Sequence, residues 1–365
     1  DYNSRVPVQS NAKWRLLVRQ IEINKQVYSD DTNPYVIAEV GHNHQGKLDT
    51  ALELIKAASD SGASAVKFQK RSNRDLFTKM AYDAPYVNEN SYGATYGEHR
   101  DALEFGLSEY KECLDLAKSL NIDFFATAFD FQSVDFLMNL DMPVFKVASG
   151  DLKTTPLLKY IAETKRPMII STGGAKLDDI KRAFDVIWPI NKNLAILQCT
   201  AGYPPKFEEL NLRVIETLRE EFPETVIGYS GHDSGIAMAL VSYVLGARVI
   251  EKHFTLNRAM KGTDHSFSLE PTGMHKLVRD INRARISMGD GIKSTYDSEV
   301  APLTKMGKSI FFKDSYPAGT LINEEMIVFK SPGGYVPPYE IETFLGKKLK
   351  SAVEAETPLN FEQVE

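Results

Sequence analysis

Short runs rich in valine, isoleucine, alanine and phenylalanine recur eight times between residues 35 and 253, with amphipathic helical patterns between them. The runs cover residues 35–40, 65–69, 123–127, 144–149, 167–172, 194–200, 225–230 and 247–253. Strands that alternate with helices predict a parallel sheet. Eight such units over about 250 residues predict a closed (β/α)8 barrel. Polar residues collect where these runs end: Glu39, Lys67 with Gln69, Thr127, Lys146 with Ser149, Thr172, Tyr203, His232, and Glu251 with His253. A parallel barrel gathers its strand C-termini at one rim, where active sites are built. The scattered positions therefore converge, and the pattern predicts an enzyme.

The flanks read differently. Residues 1–33 are polar and irregular, with one strand over 16–23, and are read as an N-terminal arm. The barrel takes residues 34–288. Residues 289–303 read as a linker, and residues 304–365 as a small second domain of short strands and turns. The stretch between Gln69 and Ser108 is rich in tyrosine, asparagine, glycine and arginine. A connection of that length on a barrel rim reads as a lid or binding loop, with a disordered insertion as the alternative.

Bulk properties narrow the function. A net charge of −6 argues against a general nucleic-acid or anionic-membrane surface, so any anion must be held by local donors. Cys113 and Cys199 lie on a helix-like and a strand-like segment and imply no disulfide framework. No apolar run approaches the ~20 residues of a membrane span, and no signal-peptide pattern opens the sequence. The expectation is a cytoplasmic protein without membrane or nucleic-acid partners.

Side chains on a strand face one way at every second residue. That period puts Glu39, Lys67 with Gln69, and Glu251 with His253 toward the barrel axis. His232 and His253, from adjacent strand ends, suit a shared divalent metal or a pair of hydrogen-bonding groups. A buried lysine needs an anion, so Lys67 and Lys146 read as phosphate binders, as Schiff-base nucleophiles, or as partners of Glu39, Asp151 or Glu251. The donors at Thr127, Ser149-Gly150 and Ser171-Thr172-Gly173-Gly174 suit phosphate. Asp264 reads either as part of a capped turn or as a ligand for a sugar hydroxyl.

Several strings carry a resemblance. Ala38-Glu39-Val40-Gly41-His42-Asn43-His44, Phe145-Lys146-Val147-Ala148-Ser149-Gly150-Asp151, Gly228-Tyr229-Ser230-Gly231-His232 and Glu251-Lys252-His253-Phe254-Thr255-Leu256 resemble the sialic acid synthase family. Thr95-Tyr96-Gly97-Glu98-His99 and Lys261-Gly262-Thr263-Asp264-His265 are most similar to its vertebrate-type branch. Residues 304–365 resemble the family's antifreeze-like (SAF, β-clip) domain. The resemblance implies condensation of phosphoenolpyruvate with an N-acylhexosamine, such as N-acetylmannosamine or its 6-phosphate, to a nine-carbon 2-keto acid.

It also implies roles. Glu39, Lys67, Lys146, Asp151, His232 and His253 would be catalytic, with His232 and His253 holding Mn²⁺, or Mg²⁺ or Co²⁺ in its place. Lys67, Gln69, Thr127, Lys146, Ser149, Ser171, Thr172 and Gly173 would bind phosphoenolpyruvate. Glu39, Tyr203, Asp264 and Lys330 would bind the sugar. A domain-swapped homodimer is implied as well. Two departures stand out: Ala201 replaces an asparagine of the bacterial form, and Ser331 replaces an arginine. A synthase of a related nonulosonic acid, a Schiff-base aldolase and an inactive sugar-binding or ice-binding protein remain alternatives.

Overall fold

The chain enters its first unit through an antiparallel hairpin, β1 (Gln20–Ile23) and β2 (Gln26–Ser29), in a computed structural model that describes residues 19–365. Residues 16–18 of the expected strand lie outside the described residues. The rest of that strand is β1, and the expected irregular arm is in this part a folded element. Asn24 and Lys25 at its tip both have positive φ, the two-residue turn whose twist matches its strands. Ile21, Ile23 and Tyr28 join the barrel's apolar core. Glu22 exchanges backbone hydrogen bonds with the Asn193 side chain at 2.8 Å, and Asn24 donates to Asp123 at 2.9 Å. Both partners stand where barrel strands begin, so the hairpin covers the end opposite the polar rim.

The barrel follows as β3 (Tyr35–Gly41), β4 (Ala65–Lys70), β5 (Asp123–Ala128), β6 (Phe145–Val147), β7 (Met168–Ser171), β8 (Leu194–Cys199), β9 (Val226–Gly231) and β10 (Val249–His253). All neighbours are parallel, and β10 pairs with β3 to close the ring. The eight strands and the barrel expected from the sequence are all present. Helices pack outside; in Leu48–Asp60 the buried face is Ala51, Leu54, Ile55 and Ala58. The register then sets the site: Glu39 pairs with Lys67, Gln69 with Thr127, and Thr127 with Lys146.

Gly228, in mid-strand, shows how tightly the barrel closes. A Cβ there would collide with Leu197 Cδ2 and with the Val249 carbonyl. Overpacking a dense interior costs about 1–3 kcal/mol. Gly228→Ala is therefore expected to lower the thermal midpoint by several degrees, and an unchanged midpoint in calorimetry would contradict this packing.

The connection after β4 is ordered. It contains the short helices Asn73–Leu76, Lys79–Tyr82 and Tyr96–Asp101, the last started by a Thr95–Glu98 capping box. Tyr82, His99, Leu103 and Phe105 are buried in it, so the disordered-insertion alternative does not hold.

The second unit comprises Gly289–Glu365. A helix, Asp297–Met306, occupies much of the stretch expected to be linker. Two antiparallel strands, β11 (Ser309–Phe312) and β12 (Ile327–Lys330), and several isolated bridges surround a separate core. That core includes Ile310, Phe312, Ile322, Phe344 and Leu359. Among the described residues, no helix is long and apolar enough to cross a membrane.

Candidate active site

Four buried charges meet on the barrel axis. Lys67 Nζ lies 2.7 Å from Glu39 Oε2 and 3.7 Å from Glu251 Oε2, and donates to Thr127 Oγ1 at 2.6 Å. Lys146 Nζ donates to Ser171 Oγ at 2.6 Å and to the Val147 carbonyl at 3.1 Å, and stands 3.9 Å from Glu251 Oε1. Gln69 donates to Glu39 at 2.9 Å and Ser230 donates to Glu251 at 3.0 Å. Each of the four charged side chains is at most 4% exposed. The ion-pair reading of the lysines thus describes their ground state. An uncompensated buried charge would be prohibitively costly, and two ammoniums against two carboxylates balance.

The environment separates the two carboxyls. Burial pushes Glu39 up, and the Glu251 charge adds to that against the opposing pull of Lys67. Burial acts the same way on Glu251, yet Lys146 and Lys67 together outweigh it and hold Glu251 as a carboxylate. Two carboxyls driven apart in this way are suited to different tasks, one moving a proton and one keeping its charge.

Above this layer stand two imidazoles. His232 follows β9 and His253 ends β10, with ring centroids 5.2 Å apart. His232 Nδ1 sits 2.9 Å from the Thr200 carbonyl, which can only accept, so that nitrogen carries a proton and donates it there. His253 Nδ1 is buried without a hydrogen-bond partner, 3.7 Å from Asp264 Oδ2. Burial pushes His253 below its ordinary range and so favours the neutral ring, with one nitrogen able to accept. The Tyr203 ring packs 4.2 Å from His232, and Phe267 packs 5.0 Å from His253. A pair of imidazoles this close, with His253 Nδ1 unpartnered, could hold a divalent cation with positions left open for other ligands. Among the described residues no group of three or more His, Cys, Asp or Glu side chains is placed to hold a metal.

One cavity of about 550 Å³ joins these groups. Of the residues singled out from the sequence, its lining includes Glu39, Lys67, Gln69, Thr127, Lys146, Ser149, Ser171, Tyr203, His232, Glu251, His253 and Asp264. Four others lie elsewhere. Thr172 turns outward from its neighbour Ser171, donates to the Leu197 carbonyl at 2.9 Å and lines a separate cavity. Gly173 donates its N–H to Ser149 Oγ at 2.9 Å and so supports the lining from behind. Asp151 sits in the single turn Ser149–Asp151, pushed up to about 6 by burial, and is not part of the lining. Lys330 belongs to the second unit, where it pairs with Glu356.

The cavity also takes in residues that strand periodicity does not mark: His42, Arg71, Tyr92, Tyr96, Arg100 and Lys261. His42 lies just past β3. The stretch after Gln69 was recognisable as a rim loop, but its short helices carry no repeating pattern that picks out Arg71 or Arg100.

The NeuB family model matches residues 54–293, and the SAF domain model matches residues 307–365. N-acetylneuraminate-9-phosphate synthase of Mus musculus is 41% identical over 333 residues, covering 91% of this chain and 92% of that protein. N,N'-diacetyllegionaminic acid synthase of Legionella pneumophila is 36% identical, covering 91% of this chain and 94% of that protein. Among solved structures, N-acetylneuraminic acid (sialic acid) synthetase from Leptospira borgpetersenii, in complex with citrate, superposes with a TM-score of 0.69. It is 30% identical and covers 78% of this chain and 95% of that chain.

Proposed function

The chain belongs to the NeuB family, and from that premise we propose that it condenses phosphoenolpyruvate with N-acetylmannosamine or its 6-phosphate. The products are N-acetylneuraminate or its 9-phosphate, and inorganic phosphate. The observation that carries this reading is the Glu39–Lys67–Glu251–Lys146 network beside two close imidazoles, all in one cavity. A synthase of a related nonulosonic acid, such as the legionaminate type, is the nearest alternative, given the 36% identity to the Legionella enzyme.

In this mechanism Lys67 and Lys146 exchange part of their pairing with Glu251 for the carboxylate and phosphate of phosphoenolpyruvate. Thr127, Ser149 and Ser171 supply hydroxyl donors around the same anion. Positioning of this kind is worth about 7 kcal/mol or more in a well-aligned pair. The C3 carbon of phosphoenolpyruvate bonds to the aldehyde carbon of the open-chain sugar, whose oxygen takes a proton from solvent, and the C2 carbon is left electron-deficient. Water then adds at C2, and phosphate leaves with its bridging oxygen as the C2–O bond breaks, giving the 2-keto acid. Glu39, made more basic by burial and fixed by Lys67 and Gln69, takes the proton released by that water. Tyr203 and Asp264 face the sugar beside the histidines. A divalent cation on His232 and His253, Mn²⁺ in this proposal with Mg²⁺ or Co²⁺ as alternatives, would supply Lewis-acid polarisation of the aldehyde oxygen.

The test is phosphate release from phosphoenolpyruvate with Mn²⁺ and N-acetylmannosamine, its 6-phosphate, mannose 6-phosphate or a 2,4-diacetamido hexose. Release with an N-acetylmannosamine acceptor supports the proposal, and release with the diacetamido sugar alone replaces it by the legionaminate-type reading. A Schiff base on Lys146 has one observation in its favour, since burial pushes this lysine down. Against it, the ammonium is held by Ser171, Val147 and Glu251. Borohydride with pyruvate is expected to leave the protein mass unchanged, and a trapped adduct would overturn the synthase mechanism. A cytoplasmic site of action and a domain-swapped homodimer belong to the same proposal, on the family resemblance. Sedimentation at twice the 40.9 kDa chain mass would support the dimer.

A further inference from the structure

The strand alternation that turns Ser230, Glu251 and His253 into the cavity leaves a second set of polar side chains behind the same wall. On β10, Lys252 lies between Glu251 and His253 and is not part of the cavity lining, and neither are Tyr229 and Asp233, which flank Ser230 and His232. Lys252 and Asp233 are each 1% exposed. Lys252 Nζ donates to Asp233 Oδ1 at 2.9 Å and to the Asp233 carbonyl, and the Tyr229 hydroxyl donates to the same Oδ1 at 2.7 Å.

This ion pair begins where the backbone pairing stops. The ladder between β9 and β10 ends with Gly231 opposite Lys252, and His232 lies one residue beyond it. The ion pair continues the seam: it ties Asp233, the residue after His232, to Lys252, the residue before His253. Gly231 leaves room for it, because a Cβ there would come within 2.5 Å of the Tyr229 ring and 2.7 Å of Asp233 Oδ1. Stability alone does not call for charge at this place. Ile250, two residues earlier on the same strand face, is a core residue. A buried ion pair replaced by apolar side chains of similar volume is often no less stable. What the pair adds is direction: a lysine aimed at one carboxylate oxygen, with a tyrosine holding that oxygen from the side. The other Asp233 oxygen is buried and has no hydrogen-bond partner among the described residues, so Oδ1 alone sets the carboxylate's place.

We propose that Lys252, Asp233 and Tyr229 are positioning residues that hold the His232 and His253 imidazoles at their ring-centroid separation of 5.2 Å. None of the three touches substrate or cation in this role. They act through the chain, by keeping the residue after one histidine against the residue before the other. His232 is then fixed at two points, its own ring against the Thr200 carbonyl and its neighbour Asp233 against β10. A cation shared by two imidazoles depends on their separation, so loosening the seam weakens its binding and leaves the Lys67 and Lys146 end of the cavity alone. This rests on the reading above, in which the two histidines hold the cation.

The experiment compares wild type with Lys252→Met, with the apolar pair Lys252→Met/Asp233→Leu, and with Tyr229→Phe. The readouts are the thermal midpoint, Mn²⁺ affinity by calorimetry, phosphoenolpyruvate affinity without metal, and the imidazole N–H resonances of His232 and His253 in the metal-free protein. The apolar pair is expected to recover most of the stability lost in Lys252→Met, yet to bind Mn²⁺ about 10- to 100-fold more weakly than wild type. Its phosphoenolpyruvate affinity should match wild type, and its His232 Nδ1–H signal should shift or broaden. Tyr229→Phe, which keeps the ion pair, should move the same two readouts by less. Should Lys252→Met not fold, the other two variants carry the same comparison. Wild-type Mn²⁺ affinity and an unmoved His232 signal in the apolar pair would leave the ion pair purely structural and overturn the proposal, as would equal losses for Mn²⁺ and phosphoenolpyruvate. If wild type binds no Mn²⁺ and the His232 signal still moves in the variants, the positioning role stands and the metal reading of the histidines falls.

Discussion

Lys67→Met is expected to lower kcat/KM for phosphoenolpyruvate by roughly 10³-fold, the scale of losing one preorganised charged donor in a water-excluded site. The side-chain volume is nearly retained, so the effect isolates the ammonium. Its loss leaves Glu39 and Glu251 as buried carboxyls without the cation between them. Glu39, already pushed up by burial, then takes a proton, while Glu251 keeps Lys146. That relaxation lets the variant fold, although breaking a buried pair costs on the order of 3–5 kcal/mol of stability. Lys67→Arg is not expected to rescue activity, because a planar fork cannot replace a point charge seated between Thr127 and Glu39. Steady-state kinetics with a parallel calorimetric measurement of phosphoenolpyruvate binding would check this. A loss below tenfold would remove Lys67 from the substrate anion.

His253→Ala is expected to lower metal-stimulated turnover by about 10³-fold or more, since Lewis-acid polarisation of a carbonyl contributes several kcal/mol. The fold should tolerate the change. His253 Nδ1 has no hydrogen bond to lose, and the ring stands at the strand end beside the cavity. A thermal midpoint within a few degrees of wild type, together with loss of Mn²⁺ binding in calorimetry, is the expected pair of results. His232→Ala should behave alike in metal binding but cost more stability, because its Nδ1–H holds the Thr200 carbonyl. Full activity in His253→Ala would sink the assignment of the histidines.

The axial residues were legible because strand alternation is local. Glu39, Lys67, Gln69, Glu251 and His253 follow from a period of two once the strands are placed, and the structure puts all five in the cavity. Thr172 was read instead from its place at the end of the 167–172 run, and it lines a separate cavity. β7 ends at Ser171, and adjacent residues there face opposite ways, so the hydroxyl that reaches Lys146 is that of Ser171.

What the sequence determined by itself is the barrel, its order of strands and the set of charged side chains that turn toward its axis. Those depend on hydrophobic periodicity and on strand alternation, which act over a few residues. Only the tertiary structure decided which charges meet. The pairing of Lys67 with both Glu39 and Glu251 joins strands that lie far apart in the chain, through the closure of β10 onto β3. The meeting of Arg71, His42 and Arg100 was equally hidden, because it is set by the packing of short lid helices and not by any repeat in the sequence.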